Sequence, residues 1–450
     1  MRNCLPDLFP YTLRRRSTDL GAYQRQAQRQ PGWWLLVLSL LFYGAVLFSR
    51  SSQSQSSDVT WSAMTTAEVE LAAAGYAESW PSWLRWFTGV ENEEEALGWM
   101  AEEFERLAEE GKFNEEGMKA RDRISALARG EVTWESEAYW QEKFQGSVWT
   151  WERMAAMRQY RGRSPAWLER DADYYRSYSR KKAYQLAVGE CVWLVTFVLC
   201  LPFLPSALRC FQTKRHESVS PILRAWRPSM VTVRYIFSTL LTSTLYSYLY
   251  MMIPYALWTD FPGPTFVLTD SVWRLGDPVF LGIFLFVKWR HVGRILGLHL
   301  KPLLKPVLGM VSLGILYNRG LLMVMEQFSL QESLEGLSYW EDGGWGLMFV
   351  ILSGVVLAPF VEEVVFRGVL FQSYLRRFGF WGATLLSTFF FVVIHFYDFQ
   401  GSLSIAFFGV GACVLYRATG SLWSAILFHA ITNGLIFGTM WPTYYDLNSL

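Results

Sequence analysis

GWGLMFVILSGVVLAPFVEEVVF occupies residues 344–366. Residues 344–361 of this run carry no charge, and then two adjacent carboxylates, Glu362 and Glu363, stand inside the same apolar stretch. A helix needs about 20 predominantly apolar residues to cross a bilayer, so this stretch reads as a membrane span. Similar apolar segments flank it at 186–208, 231–257, 266–289, 306–327, 380–397, 402–416 and 421–440. The segment 402–416 is short, and 266–289 contains Asp270, Arg274 and Asp277. The class that follows is all-α: a polytopic transmembrane helical bundle of about eight or nine spans, because a helix satisfies its backbone internally in lipid.

One region breaks the pattern. Residues 1–32 form a basic segment with Arg14, Arg15 and Arg16, and residues 33–49 are a charge-free apolar run. The basic segment is too long for a cleaved signal peptide and no A-x-A site follows, so 33–49 reads as a signal anchor with a cytoplasmic N-terminus. Residues 50–183 are hydrophilic and rich in tryptophan, from Trp61 to Trp167. Such aromatic area is enough to build a small core, and the tryptophans read first as core. In Glu91–Gly111, Leu97, Met100, Phe104 and Leu107 share a face, with Asn92 and Glu93–Glu95 favouring the start and Gly111 the stop. Stretches 114–128, 133–145 and 147–160 also read as helical. The expectation is a helical extracytoplasmic insert, soluble and folded on its own. Further membrane segments then fill 184–299, and a catalytic membrane domain fills 300–440.

Loop charge agrees with this order. Arg209, Lys214, Arg215, Arg224 and Arg227 follow one span; Lys288, Arg290, Arg294, Lys301 and Lys305 follow 266–289. Both loops are expected in the cytoplasm, and the loop with Glu332, Glu335, Glu341 and Asp342 outside. The alternation requires 266–289 to cross. A net charge of +1 across 450 residues gives no field for nucleic acid, and none is expected as a partner. The five cysteines form no CxxC pair, which excludes a zinc ribbon and a disulfide framework.

Ionisable groups inside spans are costly, so they are the first candidates for chemistry. Glu363 and Arg367, four apart, share a helix face and can pair; Glu362 points about 100° away and can face a cavity. A poorly solvated carboxylate suits a general base. Pro359 removes a helical hydrogen bond beside them. Phe391 and His395 stack on one helix face, and His429 and Asn433 on another. Base, imidazoles and amide are the parts needed to activate water and hold an oxyanion. The plainer alternative for the glutamates is an ion-paired structural helix, and Arg319 reads as a structural partner for an intramembrane acid.

The motifs Glu362-Glu363-xxx-Arg367, Phe391-xxx-His395 and His429-xxx-Asn433, ordered on successive apolar segments, resemble the CAAX-protease and bacteriocin-processing (CPBP, Abi) family of glutamate-type intramembrane proteases, which includes the type II CAAX prenyl endopeptidases. The resemblance covers about residues 300–440. It implies a membrane endopeptidase acting on a membrane protein or peptide, in a helical bundle enclosing a polar cavity open toward the cytoplasmic leaflet. It also implies that Glu362 and His395 activate water, that His429 and Asn433 hold the oxyanion, and that Glu363 and Arg367 brace the site. The expected location is the bacterial cell (inner) membrane. No cofactor is expected. Zinc on Glu362, His395 and His429 is conceivable from residue types but not favoured, because HExxH is absent. GxSxG and paired intramembrane Asp in GxGD context are absent too, against serine and presenilin-like mechanisms. Competing functions are a non-catalytic immunity or scaffold protein of the same fold, and a transporter, which would call for inverted repeats that the sequence lacks.

Overall fold

The computed structural model describes residues 59–146, 148–212, 228–252, 263–285, 293, 296–327, 343–395, 397 and 399–445. The expected basic segment 1–32, the anchor 33–49 and most of the basic and acidic loops lie outside the described residues. Every described element is helical, and no strand occurs among the described residues.

The first part holds α1 (Thr60–Ala77), α2 (Ser82–Thr88), α3 (Glu93–Glu109), α4 (Glu115–Ala128), α5 (Glu137–Lys143) and α6 (Thr150–Gln159). Polar caps set its boundaries. The Glu95 amide donates to Asn92 Oδ1 at 2.9 Å while the Asn92 amide donates to the Glu95 carboxylate at 3.3 Å, a reciprocal capping box at the start of α3. Asn114 caps α4 and Ser136 caps α5 through their side-chain oxygens, which accept from backbone amides of the first turn. Leu97, Met100, Phe104 and Leu107 are buried as their spacing requires, in one core with Trp140, Trp151 and Leu168. Helix α1 runs through the middle of this core and is buried almost all round, including Ala63, Ala67 and Leu71.

Helix α7 (Ala166–Cys200) then leaves this core, and its 35 residues extend about 52 Å at 1.5 Å per residue. Residues 183 and 184, at the expected edge of the insert, lie inside this uninterrupted helix. Beyond Val188 its surface is apolar and exposed, with Val192, Val195, Val198 and Leu199 outward.

The membrane part continues through α8 (Leu204–Gln212), α9 (Pro228–Met252), α10 (Pro264–Phe284), α11 (Leu304–Gln327), α12 (Gly343–Leu375), α13 (Arg377–Val393), α14 (Phe399–Thr419) and α15 (Leu422–Met440). Among the described residues five helices are long and apolar enough to cross a membrane, in Ala166–Gln212, Leu304–Met325, Gly343–Leu375, Phe399–Thr419 and Leu422–Tyr444. The chain is therefore a multi-pass membrane protein. The described parts of segments 231–257 and 266–289 lie in helices, α9 and α10, but fall outside those five, and 380–397 yields the shorter apolar α13.

Small residues let the bundle close. A Cβ on Gly309 of α11 would collide with the Phe203 carbonyl and Ala207, so α8 seats directly on α11. Gly379, in the first turn of α13, takes a left-handed backbone (φ 67°, ψ −173°) and kinks the chain there. At one end of the bundle, Leu296–Leu303 strap the start of α15: Ser421 Oγ donates to the Leu300 carbonyl at 2.8 Å and the Trp423 indole to the Leu298 carbonyl at 2.8 Å. Lys301, Lys305 and Arg209, the described members of the basic loops, belong to this end. At the other end Lys182 of α7 donates to the Thr443 carbonyl at 2.6 Å and the Tyr444 hydroxyl to the Glu70 carboxylate of α1, which fastens the chain after α15 to the Trp-rich part. Between the ends Arg319 of α11 pairs with Glu190 of α7, the intramembrane acid that its sequence position called for.

Candidate active site

Helix α12 is not a regular α-helix where its carboxylates stand. Hydrogen bonding widens to π-helical spacing over Val350–Leu357 and again over Glu363–Phe371, with the short α-helical piece Ala358–Glu362 between them. Pro359, in that piece, has no N–H to give, so one rung of the ladder is missing there. Such widened turns often mark functional positions. Here they set Glu362 and Glu363 into different surroundings.

Glu363 and Arg367 are sealed from solvent, each with 0% side-chain exposure, and Arg367 Nη1 donates to Glu363 Oε1 at 2.9 Å. The guanidinium also lies over the Phe391 ring, 4.3 Å from its centroid, and 5.7 Å from that of Phe408. Gly409 admits this stacking, since a Cβ there would press on Thr388 and approach Arg367 Nη2 to 3.3 Å. The same Glu363 oxygen meets His429 Nδ1 at 3.0 Å. A carboxylate facing a guanidinium accepts, so Nδ1 of His429 is a protonated nitrogen, and in the neutral ring Nε2 then carries the lone pair.

His395, just past the end of α13, repeats the arrangement with a different partner. Its Nδ1 donates to the Phe391 carbonyl at 2.6 Å, and its ring packs on Phe391 with centroids 4.6 Å apart. That bond leaves Nε2 of His395 as an acceptor too. Both Nε2 atoms then face one point: each lies 3.8 Å from Glu362 Oε2. That distance exceeds a hydrogen bond, and Glu362 Oε2 is buried without a hydrogen-bond partner among the described residues. Three acceptors converge at a spacing that a small donor can bridge.

Asn433 stands apart. It is one turn along α15 from His429, but its Nδ2 donates to the Gly354 carbonyl at 2.8 Å, in the first widened turn of α12. The structure thus joins Glu362, Glu363, Arg367, His395 and His429 in one contact network and holds Asn433 beside it through backbone.

A further polar group was missed in the sequence as part of the site. Asp270 of α10, buried, accepts from Ser353 Oγ at 2.5 Å and from Arg274 Nε at 2.8 Å. Ser353 precedes Gly354, so this network holds the turn whose carbonyl engages Asn433. The signal was available: Asp270 and Arg274 are four apart in an apolar segment, the spacing of a same-face ion pair.

Residues 344–435, from the start of α12 to just past Asn433, match the family model described as type II CAAX prenyl endopeptidase Rce1-like. This segment is similar to the CAAX-protease family. The CAAX-protease match contains every residue of the network and Asn433, and stops short of α10 and of the Trp-rich part. No curated protein and no solved structure matches the chain. At the level of class, the family-model match supports a hydrolase of the protease type, and the apolar helices set it in a membrane.

Proposed function

We propose that this chain is an intramembrane endopeptidase that hydrolyses a peptide bond of a membrane-associated protein or peptide with a water activated by Glu362. The convergence of Glu362 Oε2 with the unprotonated Nε2 atoms of His395 and His429 carries the reading. A water among these acceptors gives one hydrogen to Glu362 and the other to an imidazole, which turns an oxygen lone pair toward the scissile carbonyl. Glu362 takes the proton as the water attacks and returns it to the leaving amine. Glu363 keeps His429 in the tautomer that makes this possible, and Arg367 holds Glu363 in place. Asn433 has a second N–H beyond the one given to Gly354, and that donor serves the oxyanion. A non-catalytic scaffold would have no use for two imidazoles held in matching tautomers.

The setting belongs to the same proposal: residues 50–183 as an extracytoplasmic insert, 300–440 as the catalytic domain, and the bacterial cell (inner) membrane as the location. Substrates are leader peptides or sorting-signal tails presented in or at the bilayer.

One observation favours a second reading, in which zinc occupies the acceptor triangle. Imidazoles whose Nδ1–H groups are tied to a carboxylate and to a backbone carbonyl are how metal-binding histidines are commonly oriented. Among the described residues no group of three or more His, Cys, Asp or Glu side chains has the arrangement of a metal site. Purified enzyme cleaving a membrane peptide separates the two. Retained activity after dialysis against a strong chelator, with at least a ~10²-fold loss in Glu362→Gln, is expected. Loss on chelation and recovery with stoichiometric zinc would reassign the same residues as ligands.

A further inference from the structure

In the Trp-rich part Trp140 and Trp151 are buried in the core and Trp99, Trp149 and Trp167 pack against it, but two tryptophans on α2 stay open. Trp83 is 67% exposed and Trp86 is 81% exposed, three residues apart on one helix face. A soluble surface rarely leaves two such rings open side by side, and nothing in the insert's own core requires them. We propose that α2 is an interfacial anchor whose Trp83 and Trp86 rings insert into the headgroup–acyl boundary of the bilayer that α7 crosses. The inference concerns how the insert is seated and does not depend on the proposed catalysis.

Position is the first argument. Val90, just after α2, packs in a small cluster with Ala73, Ala77 and Ala183, against which Trp80, Tyr76 and Leu186 also lie. The Trp80 and Tyr184 rings touch, with centroids 5.9 Å apart. Helix α2 is therefore held beside α7 at residues 183–186. The exposed apolar face of α7 opens at Val188, which is about 6 Å along the axis from Tyr184 at 1.5 Å per residue. The two rings belong to a helix whose flanking residues Trp80 and Val90 are packed within about two turns of that opening.

Chemistry is the second argument. Tryptophan concentrates at membrane–water boundaries because its ring is apolar and its N–H is polar. The sequence of α2, SWLRWFT, carries a single charge, Arg85, and Arg180 is exposed one turn before Tyr184 on α7. On this seating, both cations fall where lipid phosphates would lie. The remaining exposed tryptophan of the same part, Trp134 at 77%, belongs to the loop between α4 and α5, has Glu131 and Glu135 nearby in sequence, and has no such neighbour on α7.

Trp134 supplies the internal control. The full chain is placed in lipid nanodiscs with Cys4 and the exposed Cys191 replaced by serine, and with a nitroxide attached in turn at Trp83→Cys, Trp86→Cys and Trp134→Cys. Collision rates with oxygen, which concentrates in lipid, and with a polar nickel chelate, which stays in water, are measured at each site. The oxygen-to-nickel ratio is expected to be several-fold higher at positions 83 and 86 than at position 134. Equal ratios at all three positions would overturn the proposal. So would low access to both reagents at 83 and 86, which would mean that a protein surface covers them.

Discussion

The two cores of this chain bury carboxylates in different ways. In the membrane bundle, Glu363 is closed off with a guanidinium and an imidazole on the same oxygen. In the insert, Glu68 of α1 is also fully enclosed, yet its direct donor is the Thr150 backbone amide, with Arg153 further away. Burial pushes the Glu68 carboxyl up from the usual carboxylate range, only partly offset by that amide and by Arg153. A buried acid with a cation in contact is held in one geometry and can orient its neighbours. One without such contact answers to pH.

The comparison breaks most visibly at Arg367. Arg367→Ala strips the cation from a sealed carboxylate and is expected to cost about 3–5 kcal/mol, read as a lowered midpoint for unfolding of the purified protein in bicelles. An unchanged midpoint would mean that Glu363 is neutral and that the pairing is not what holds the bundle. Phe104→Ala should cost a similar or smaller amount, about 3–5 kcal/mol, but confined to the insert. Loss of the insert's cooperative tryptophan transition, with the bundle's helicity kept, is the expected pattern; joint melting would show that the two cores fold as one. Ser353→Ala removes a hydrogen bond to a charged group and is expected to cost about 1.5–3 kcal/mol. If the turn positions Asn433, kcat should fall with little change in KM.

The smallest effect is the pH response of Glu68. The folded state binds the proton more tightly than the unfolded chain. This contribution to stability is therefore present at low pH and is lost as pH rises from the ordinary glutamate value through the raised one. Glu110 and Glu131, held low by Lys112 and Arg129, slope the other way, so the informative quantity is a difference. Glu68→Gln should raise the insert's unfolding midpoint relative to the parent more at pH 8 than at pH 5. A constant difference across that range would show that the carboxyl is ionised in both states.

Much of the site was legible because its signals are local. Charges in apolar runs and four-residue spacings name Glu362, Glu363, Arg367, His395, His429 and Asn433 without coordinates. Their union in the contact network required folding, and so did the partner of Asn433, because a backbone carbonyl such as that of Gly354 leaves no mark in a sequence. In the insert, the helices with one wet face and an Asn or Ser cap were readable to within a few residues. Helix α1 was not, since a helix buried on every side has no polar face to set a period. The seat of α2 was equally hidden: Trp83 and Trp86 read as core residues until the core was seen to close without them.

Helix α7 gives the chain a mechanical property. It is one rod from Ala166 to Cys200, clamped in the insert's core at Leu168 and in the bundle by Glu190 on Arg319. A rod without a joint transmits torque. A load applied to the insert reaches the bundle as a tilt of α7, and through Arg319 as a shift of α11, instead of being absorbed by a slack tether.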